Sequence, residues 1–394
     1  MNFGYILVQN LRRNRLRTVL TLLAFALPMA VFVAAISLVV AMARIGKENE
    51  KHLRLAVHHK TTITNMLPEG GRRKIEALDP THTRIAAICG TRWFGGRVPD
   101  TQNTLTSLAA DADTFPLVYA DSEMTPAELE DWQRERSGCV VGKVIAEQYN
   151  WEKGRRVTLN STVPPYLSLE FKIVAVMQNP TKANYFYFRR DYLQESLKSA
   201  GSLQPDLVNI FWVKCNSVAE LHRVQPEIDA LFANSPDETK TEDENAFFAG
   251  FTQAAGNIPG LMQAMAVVVV FIIALVAGNT MMMSFRERTR ELAVFKAIGF
   301  SRRRVFGLVL GESMLLALFG AVLGVLPAAV GVMYASSLMP ASMRSFGPLT
   351  QLRASPAAVG ASLGIGLAVG LAAGLWPAWQ AMRMRTTDAL RRVA

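Results

Sequence analysis

The chain has 394 residues, half of them hydrophobic, and a formal net charge of +10 at pH 7. Residues 44–260 hold 25 basic and 28 acidic side chains, whereas the remainder of the chain holds 17 basic and 4 acidic side chains. The positive charge therefore lies beside long uncharged stretches, which excludes a wholly soluble protein and favours contact with anionic lipid over nucleic acid.

Four apolar stretches are long enough to cross a bilayer, because a hydrocarbon core of about 30 Å needs roughly 20 helical residues. Backbone groups within lipid must bond to one another, so these stretches are predicted to be helical. One ionisable side chain, Glu312, lies in them, and we expect a structural role: pairing with a basic residue of the neighbouring loop, or capping a helix. The four predicted transmembrane helices are 18–43, 261–285, 305–339 and 354–382.

Arginine clusters flank three of the apolar ends, and short loops rich in Lys and Arg remain cytoplasmic. We therefore predict cytoplasmic termini and an extracytoplasmic insert between the first two helices. Arg344 and Arg353 in the outer loop oppose this topology, but the cytoplasmic clusters contain many more basic residues. The remaining segments are a cytoplasmic or interfacial lead at 1–17, the insert at 44–260, a cytoplasmic loop at 286–304, an outer loop at 340–353 and a cytoplasmic tail at 383–394.

The first apolar stretch has an alternative interpretation as a cleaved signal peptide. A basic lead precedes it, and Ala41-Met42-Ala43 resembles a cleavage site. An uncharged run of 26 residues is longer than the apolar region of a signal peptide, about 7–15 residues, which favours a retained helix. The lead at 1–17 either lies along the inner leaflet as an amphipathic helix or extends the membrane helix into the cytosol.

The insert is long enough for one large α+β domain or two subdomains. Its strands are predicted from alternation of side chains. In the segment 208–214, Ile210 and Trp212 fall on one face and Phe211 and Val213 on the other.

Helices in the insert are predicted from their start signals. Thr125 is expected to be an N-cap with Pro126 at the first helical position, and residues 217–232 show the same helical periodicity. Residues 234–245 are polar and acidic, which predicts a solvated linker before the second membrane helix.

The chain lacks the motifs of common catalytic and phosphate-binding sites, including G-x-x-x-x-G-K-[ST], H-E-x-x-H and G-x-S-x-G. His58 and His59 are adjacent, so a strand would direct them to opposite faces, and no ligand spacing supports a metal site. We expect Cys89, Cys139 and Cys215 to be free buried thiols, with one disulfide as the alternative. No catalytic, cofactor-binding or metal-binding residue is predicted, and the chain is expected to be non-enzymatic.

The loop at 285–304 reads FRERTRELAVFKAIGFSRRR. Its apolar residues recur at regular spacing, which is not typical of a polar connecting loop. Leu292, Phe295 and Ile298 recur at helical spacing, which predicts a short amphipathic helix. Gly299 is predicted to end it. A helix held along the membrane can exchange force with a cytosolic partner.

This loop resembles the cytoplasmic signature of the FtsX/MacB-type permeases of ABC transporters, through the ERTRE core at 287–291 and the K-A-I-G sequence at 296–299. Glu312, followed by Gly320 and Gly324, resembles the third membrane helix of that family. The resemblance also covers the opening at 10–27, residues 142–177, and the ending at 377–381 and 388–391.

The resemblance implies a permease subunit in the bacterial inner membrane: an α-helical membrane protein with four transmembrane helices and a large α+β extracytoplasmic domain between helices 1 and 2. It implies a homodimer, or a pair with a related permease, above two ATPase subunits, with a periplasmic adaptor as a further candidate partner. MacB carries its nucleotide-binding domain before the first helix, where this chain has 17 residues, so we expect ATP and Mg to bind a separate ATPase chain. Contact with that motor is implied for Arg288, Arg290, Glu291 and Lys296, and helix termination for Gly299.

The implied function is mechanical: ATP-driven closure of the motor passes through the inner helix and moves the outer domain, which handles substrate from the outer face. Export or extraction of a substrate follows from this reading. An FtsX-like regulator, which activates an extracytoplasmic partner without transport, is the alternative. A sensor is a third reading, although a kinase-type sensor would need a cytosolic output domain that the sequence does not contain.

Overall fold

The computed structural model describes residues 15–254, 258–338 and 353–384. The described chain forms two compact units, a helical unit and a sheet unit that contains residues 42–256. Most of the predicted lead, outer loop and tail lies outside the described residues, in 1–14, 339–352 and 385–394.

The first helix, α1, is Arg15–Glu50 and continues beyond the predicted membrane stretch. One mixed sheet follows it. The ten strands in the described part of the chain are β1 Arg54–His59, β2 Ile85–Trp93, β3 Gly96–Arg97, β4 Thr106–Ala110, β5 Gly138–Gly142, β6 Arg156–Ser161, β7 Ser168–Met177, β8 Tyr185–Arg189, β9 Ile210–Cys215 and β10 Thr239–Asp243.

Helices connect these strands and cover the sheet on both faces. Short 3-10 turns also occur at Ala120–Ser122 and Pro180–Lys182. The helices are α2 Gly70–Glu76, α3 Phe115–Val118, α4 Pro126–Arg134, α5 Lys143–Tyr149, α6 Arg190–Ser199, α7 Val218–Phe232 and α8 Glu244–Ala254.

The sheet has the order β10-β1-β9-β2-β4-β8-β5-β7-β6-β3. The pairs β4–β8 and β5–β7 are parallel and the other neighbours are antiparallel. Alternation in β9 follows the prediction, since Ile210 and Trp212 join one apolar cluster and Phe211 and Val213 join the cluster on the opposite face. The predicted α+β fold with a large inserted domain is confirmed.

Two local predictions in the sheet unit are also confirmed. Thr125 caps α4 with a complete capping box, in which its hydroxyl accepts from the Glu128 amide and the Glu128 carboxylate accepts from the Thr125 amide. Cys89, Cys139 and Cys215 are buried free thiols. Burial raises the pKa of Cys89 and of Cys215 to about 12, so these thiols are unreactive at neutral pH.

The predicted solvated linker at 234–245 is wrong in its second half. Thr239–Asp243 forms β10 and pairs antiparallel with β1, and α8 begins at Glu244. Thr239 and Thr241 are buried, and their hydroxyls donate to a carboxylate oxygen of Asp229 on α7, at 3.1 Å and 2.6 Å. Polar side chains with partners of this kind form an edge strand that composition alone does not indicate.

A buried ionic cluster joins the two ends of the sheet unit. Arg54, only 1% exposed, donates from Nε to Glu244 at 2.7 Å and from Nη1 to Asp121 at 2.6 Å. Lys182 donates from Nζ to the other oxygen of Glu244 at 3.0 Å, and both cations lie over the ring of Tyr119. Two positive and two negative charges therefore balance in a site from which water is largely excluded.

The helical unit consists of α9 Ile258–Glu287, α10 Thr289–Ala297, α11 Arg302–Leu338 and α12 Pro356–Arg383. Among the described residues, four helices are long and apolar enough to cross a membrane: α1, α9, α11 and α12. Their apolar side chains remain widely exposed, as expected for helices that face lipid.

Small residues let three of these helices approach closely. A Cβ added at Gly324 on α11 would collide with the backbone of Ala26 on α1. A Cβ added at Gly370 or Gly374 on α12 would collide with the side chains of Ala317 or Ser313 on α11, and the Ser313 hydroxyl donates to the Gly370 carbonyl at 2.7 Å. At Gly364 of the same helix, by contrast, nothing lies within 4 Å of the Cβ position.

We predict that the buried cluster makes the sheet unit sensitive to acid. Burial alone would raise the pKa of Glu244 and of Asp121, but Lys182 and Arg54 outweigh it and lower both pKa values. Carboxylates with lowered pKa values stabilise the fold above their unfolded values of about 3.9–4.3, and this contribution is lost as the pH falls through the folded values. Denaturant unfolding of the protein at pH 7 and at a series of pH values below about 4 measures this loss.

The Glu244→Gln variant tests the origin of the effect. It leaves Arg54 and Lys182 with one carboxylate fewer, so we expect the unfolding free energy at pH 7 to fall by about 3–5 kcal/mol and the acid-dependent loss to shrink. Glu130→Gln removes an exposed carboxylate and is the matched control, with an expected change within about 0.5 kcal/mol. Equal effects of the two substitutions would contradict the assignment.

Candidate functional site

The short helix α10 lies between two membrane-spanning helices and has a defined beginning and end. Arg288 separates it from α9, and Ile298 is its C-cap. Gly299 follows with φ +99°, a conformation that favours glycine. The Gly299 amide donates to the Lys296 carbonyl and the Phe300 amide donates to the Phe295 carbonyl, which is the Schellman pattern.

An apolar contact completes this helix end. The rings of Phe295 and Phe300 lie 5.3 Å apart, in the position where a Schellman motif usually carries a hydrophobic pair. Ser301 then caps the start of α11, since its hydroxyl accepts from the Arg304 amide at 3.4 Å. The turn between α10 and α11 is thus determined by local chemistry.

The first end of α10 is joined to α11 by an ion pair. Arg288 donates from Nη1 to both carboxylate oxygens of Glu312, at 2.8 Å and 2.6 Å. Both side chains are largely buried, with 13% and 9% of their surfaces exposed. Glu312 therefore pairs with a basic residue of the loop, as one of the two sequence-based alternatives proposed.

The second end of α10 is joined to α12. Lys296 donates from Nζ to the carbonyls of Met382 and Met384, at 2.9 Å and 2.8 Å. These carbonyls belong to the end of α12, where the last backbone acceptors of a helix lack partners. Burial lowers the pKa of Lys296, and the nearby positive charge of Arg302 lowers it further.

Between these two attachments, one side of α10 packs on the helical unit. Leu292 is 3% exposed and forms an apolar cluster with Val305 and Leu308 of α11 and Ala381 of α12. Phe295 packs against the same cluster. The attachment of α10 is therefore both polar, at its ends, and apolar, along its length.

The opposite side of α10 faces away from the unit. Arg290 is exposed, and so are Val294 and Ile298, with exposed fractions of 45% and 68%. Residues at i, i+4 and i+8 share one side of a helix, so these three side chains form a continuous surface. We call Arg290, Val294 and Ile298 the outer face of α10.

The predicted site residues thus separate into groups. Arg288 and Lys296 use their donors within the chain, and Arg290 is directed outward. Glu291 is half-buried and lines a small cleft with Arg288 and Glu312. The prediction that Ile298 belongs to the buried face is wrong. A residue six positions after Leu292 lies about 240° around a helix, so Ile298 falls on the side of Arg290 and Val294.

The attachment to α12 was missed by the sequence analysis. Lys296 and Met384 are 88 residues apart in the chain, and nothing in the local pattern indicates that they meet. The one available signal was the position of Lys296 in the last turn of an amphipathic helix, on the same side as Leu292. Among the described residues, no group of three or more His, Cys, Asp and Glu side chains is arranged to hold a metal ion.

Comparison with known families agrees with this architecture. Residues 264–386 match the FtsX-like permease C-terminal family, which includes α10 and the helices that hold it. Residues 18–231 match the MacB-like periplasmic core domain, over more than half of the chain. The chain belongs to the FtsX/MacB-type permeases of ABC transporters. It is a multi-pass membrane protein with a large extracytoplasmic domain.

Individual relatives are distant. The permease is 24% identical over 374 residues to the ABC transporter permease YtrF of Bacillus subtilis strain 168, covering 84% of this chain and 83% of YtrF. It is also similar to the extracellular domain of the noncanonic ABC-type transporter YknZ from Gram-positive bacteria, at 11% identity and a TM-score of 0.34, covering 48% of this chain and 99% of that one.

We predict that the Arg288–Glu312 pair stabilises the helical unit of this permease. Arg288→Met leaves a carboxylate without its cation in apolar surroundings, so we expect the unfolding free energy to fall by about 3–5 kcal/mol. The double variant Arg288→Met with Glu312→Met should recover most of that loss, because both charges are removed together. Detergent-induced unfolding of the purified protein measures the cycle.

Arg286→Met is the matched control, since Arg286 is an exposed arginine two residues earlier. Its expected effect is within about 0.5 kcal/mol. A double variant that is as unstable as the sum of the two single variants would show that Arg288 and Glu312 are not coupled.

Proposed function

We propose that this permease couples ATP hydrolysis by a separate cytoplasmic ATPase to movement of its extracytoplasmic domain, with α10 as the element that receives the force. The observation that carries the proposal is the double attachment of α10. Arg288 ties one end to α11 and Lys296 ties the other to α12, while the outer face of α10 remains accessible. A push on that face is transmitted to two membrane helices together.

The outer face has the character of a docking surface. Exposed apolar side chains next to basic residues, on a loop expected to be cytoplasmic, are suited to a protein partner with an apolar groove and an acidic rim. Val294 and Ile298 supply the apolar part and Arg290 the charge. Arg288 and Lys296 act as positioning residues, and the role of Glu291 as a motor contact stays a prediction.

Close helix packing offers a path for the movement. Gly320 and Gly324 bring α11 into contact with α1 at Phe25 and Ala26. The helix α1 continues without interruption to Glu50, and β1 begins at Arg54. A displacement of α11 is therefore carried along α1 towards the residues that begin the extracytoplasmic sheet.

The ATPase is proposed to bind the ATP and Mg, because the 394 residues contain no phosphate-binding loop. Two copies of the permease, or one copy with a related permease, above two ATPase subunits complete the assembly. We propose that the transported substrate is handled at the outer face of a bacterial inner membrane. The pairing of Glu312, the one ionisable residue of the predicted spans, with Arg288 argues against a charged relay through them.

We predict that changing the outer face uncouples the motor. Arg290→Glu combined with Val294→Asp reverses one charge and places another on the apolar surface. Because these residues do not hold α10 in place, we expect normal membrane insertion and at least about a tenfold loss of affinity for the ATPase, which corresponds to about 1.4 kcal/mol. Co-purification with the ATPase and ATPase rates in nanodiscs measure the effect.

The matched control is Arg223→Glu, which reverses an exposed arginine in the extracytoplasmic sheet unit. It should leave ATPase binding unchanged. Unaltered binding and coupling in the double variant at 290 and 294 would refute the docking role of the outer face.

We also predict that the purified permease has no ATPase activity of its own. Hydrolysis should appear only when the partner ATPase is added, since the sequence contains no phosphate-binding loop motif. Phosphate release from the permease alone, from the ATPase alone and from the mixture measures this. Hydrolysis by the permease alone that a substitution in the permease abolishes would rule out the two-chain arrangement.

A further inference from the structure

A mostly apolar cavity in the sheet unit has a volume of about 390 Å³, within the usual range for small-molecule sites. It opens between β2, the β6–β7 connection and α6. Most of its walls are apolar, including Trp93, Phe94, Leu108, Val163, Leu193 and Leu197. The cavity is lined by neither the ionic cluster around Arg54 nor any part of α10.

One charged side chain lines this apolar cavity. Arg92 is 8% exposed, and its Nη1 donates to the carbonyls of Gln204, Pro205 and Leu207 at 3.1 Å, 3.0 Å and 3.4 Å. Its Nε and Nη2 donate to no acceptor in the part of the chain that the structure describes, and both atoms remain accessible to solvent. Within that part, no carboxylate oxygen lies within 4.0 Å of its guanidinium nitrogens.

The charges around Arg92 do not compensate it. The nearby Arg190 is already paired with both Glu69 and Asp111. Arg72 is paired with the same two carboxylates. Arg72 and Arg190 therefore take up Glu69 and Asp111 between them, and neither carboxylate pairs with Arg92.

The missing carboxylate partner has an energetic consequence for Arg92. Burial lowers the pKa of Arg92, the positive charge of Arg190 lowers it further, and the exposed Asp206 compensates only in part. A buried charge without a paired counter-ion is costly, and an anion within hydrogen-bond distance relieves that cost. The cavity thus offers apolar walls to an aliphatic chain and the positive charge of Arg92 to a negatively charged group.

We propose that this cavity binds an amphiphilic anion, with an aliphatic chain inside the apolar walls and a carboxylate or phosphate head at Arg92. Loop stabilisation by Arg92 is the competing explanation for its burial, and it accounts for the bonds of Nη1 but not for a guanidinium lining an apolar cavity with no carboxylate within 4.0 Å among the described residues. The inference does not depend on the coupling proposal, because it concerns binding to the sheet unit without the ATPase.

The test uses the full-length permease in nanodiscs of zwitterionic phosphatidylcholine, without ATPase. Trp93 lines the cavity and is 42% exposed, so a bromine-labelled chain that enters the cavity quenches its fluorescence. The probe is 11-bromoundecanoate, and the neutral probe is 11-bromoundecanol. Subtracting the signal of the Trp93→Phe variant removes quenching of the other tryptophans, including those that meet the probe in the bilayer.

We expect saturable quenching of Trp93 by the carboxylate, with a half-saturation concentration at least about tenfold lower than for the alcohol, because a charge-assisted hydrogen bond is lost with the alcohol. Dodecanoate and dodecyl phosphate compete, and the better competitor identifies the head group. Dodecyltrimethylammonium should not compete. Equal quenching by the two probes, or no saturable Trp93 signal, would overturn the proposal.

Substitution of Arg92 provides an independent arm. Arg92→Gln should raise the half-saturation concentration by about tenfold or more, whereas Arg92→Lys should keep most of the affinity because it keeps the charge. Arg97→Gln is the matched control, since Arg97 is an exposed arginine of β3 that does not line the cavity. If Arg92→Gln fails to fold, the comparison of charged and neutral probes on the unaltered protein decides the matter alone.

Discussion

The sheet unit depends on a small group of buried charges that must all be satisfied together. Arg54 lies at the start of β1, just after α1 ends, and Glu244 is the first residue of α8. Their contact, with Asp121 and Lys182, therefore joins the places where the chain enters and leaves the unit. Removing one partner of such a group costs far more than the net stabilisation it provides, because the remaining charge stays buried. β1 itself lies between β9 and β10 and pairs antiparallel with both.

The helical unit uses the same chemistry more sparingly. Its spans face lipid, so apolar side chains provide no preference for one helix partner over another. Small residues on α11 and α12 allow these helices to approach closely. Two polar contacts determine the position of α10: Arg288 with Glu312, and Lys296 with the end of α12. These contacts attach α10 to two membrane helices, one at each of its ends, while its outer face remains exposed. A coupling role requires both properties.

Sequence patterns were most informative where the environment was simple. The lengths of the apolar stretches identified the membrane helices, and alternation identified β9. Thr125 and Gly299 identified helix ends, because capping depends on neighbours three to five residues away. Patterns failed where a distant partner decided the outcome: residues 239–243 became an edge strand through β1 and Asp229. Ile298 is a different case, because a spacing of six residues from Leu292 is about 240° around a helix and places it on the outer face. Gly364 and Gly370 have similar local sequences, yet only Gly370 meets α11.

By itself, the sequence determined the class of this protein: four membrane-spanning helices, a large α+β insert, an amphipathic inner helix, and the family to which they belong. These properties follow from hydropathy and short-range bonding, which act within a few residues. Only the tertiary structure decided which charges meet. The pairing of Arg54 with Glu244 spans 190 residues, that of Lys296 with Met384 spans 88, and among the described residues no carboxylate lies within 4.0 Å of the Arg92 guanidinium. Charge pairing is a property of distance in space, and no periodicity along the chain encodes it.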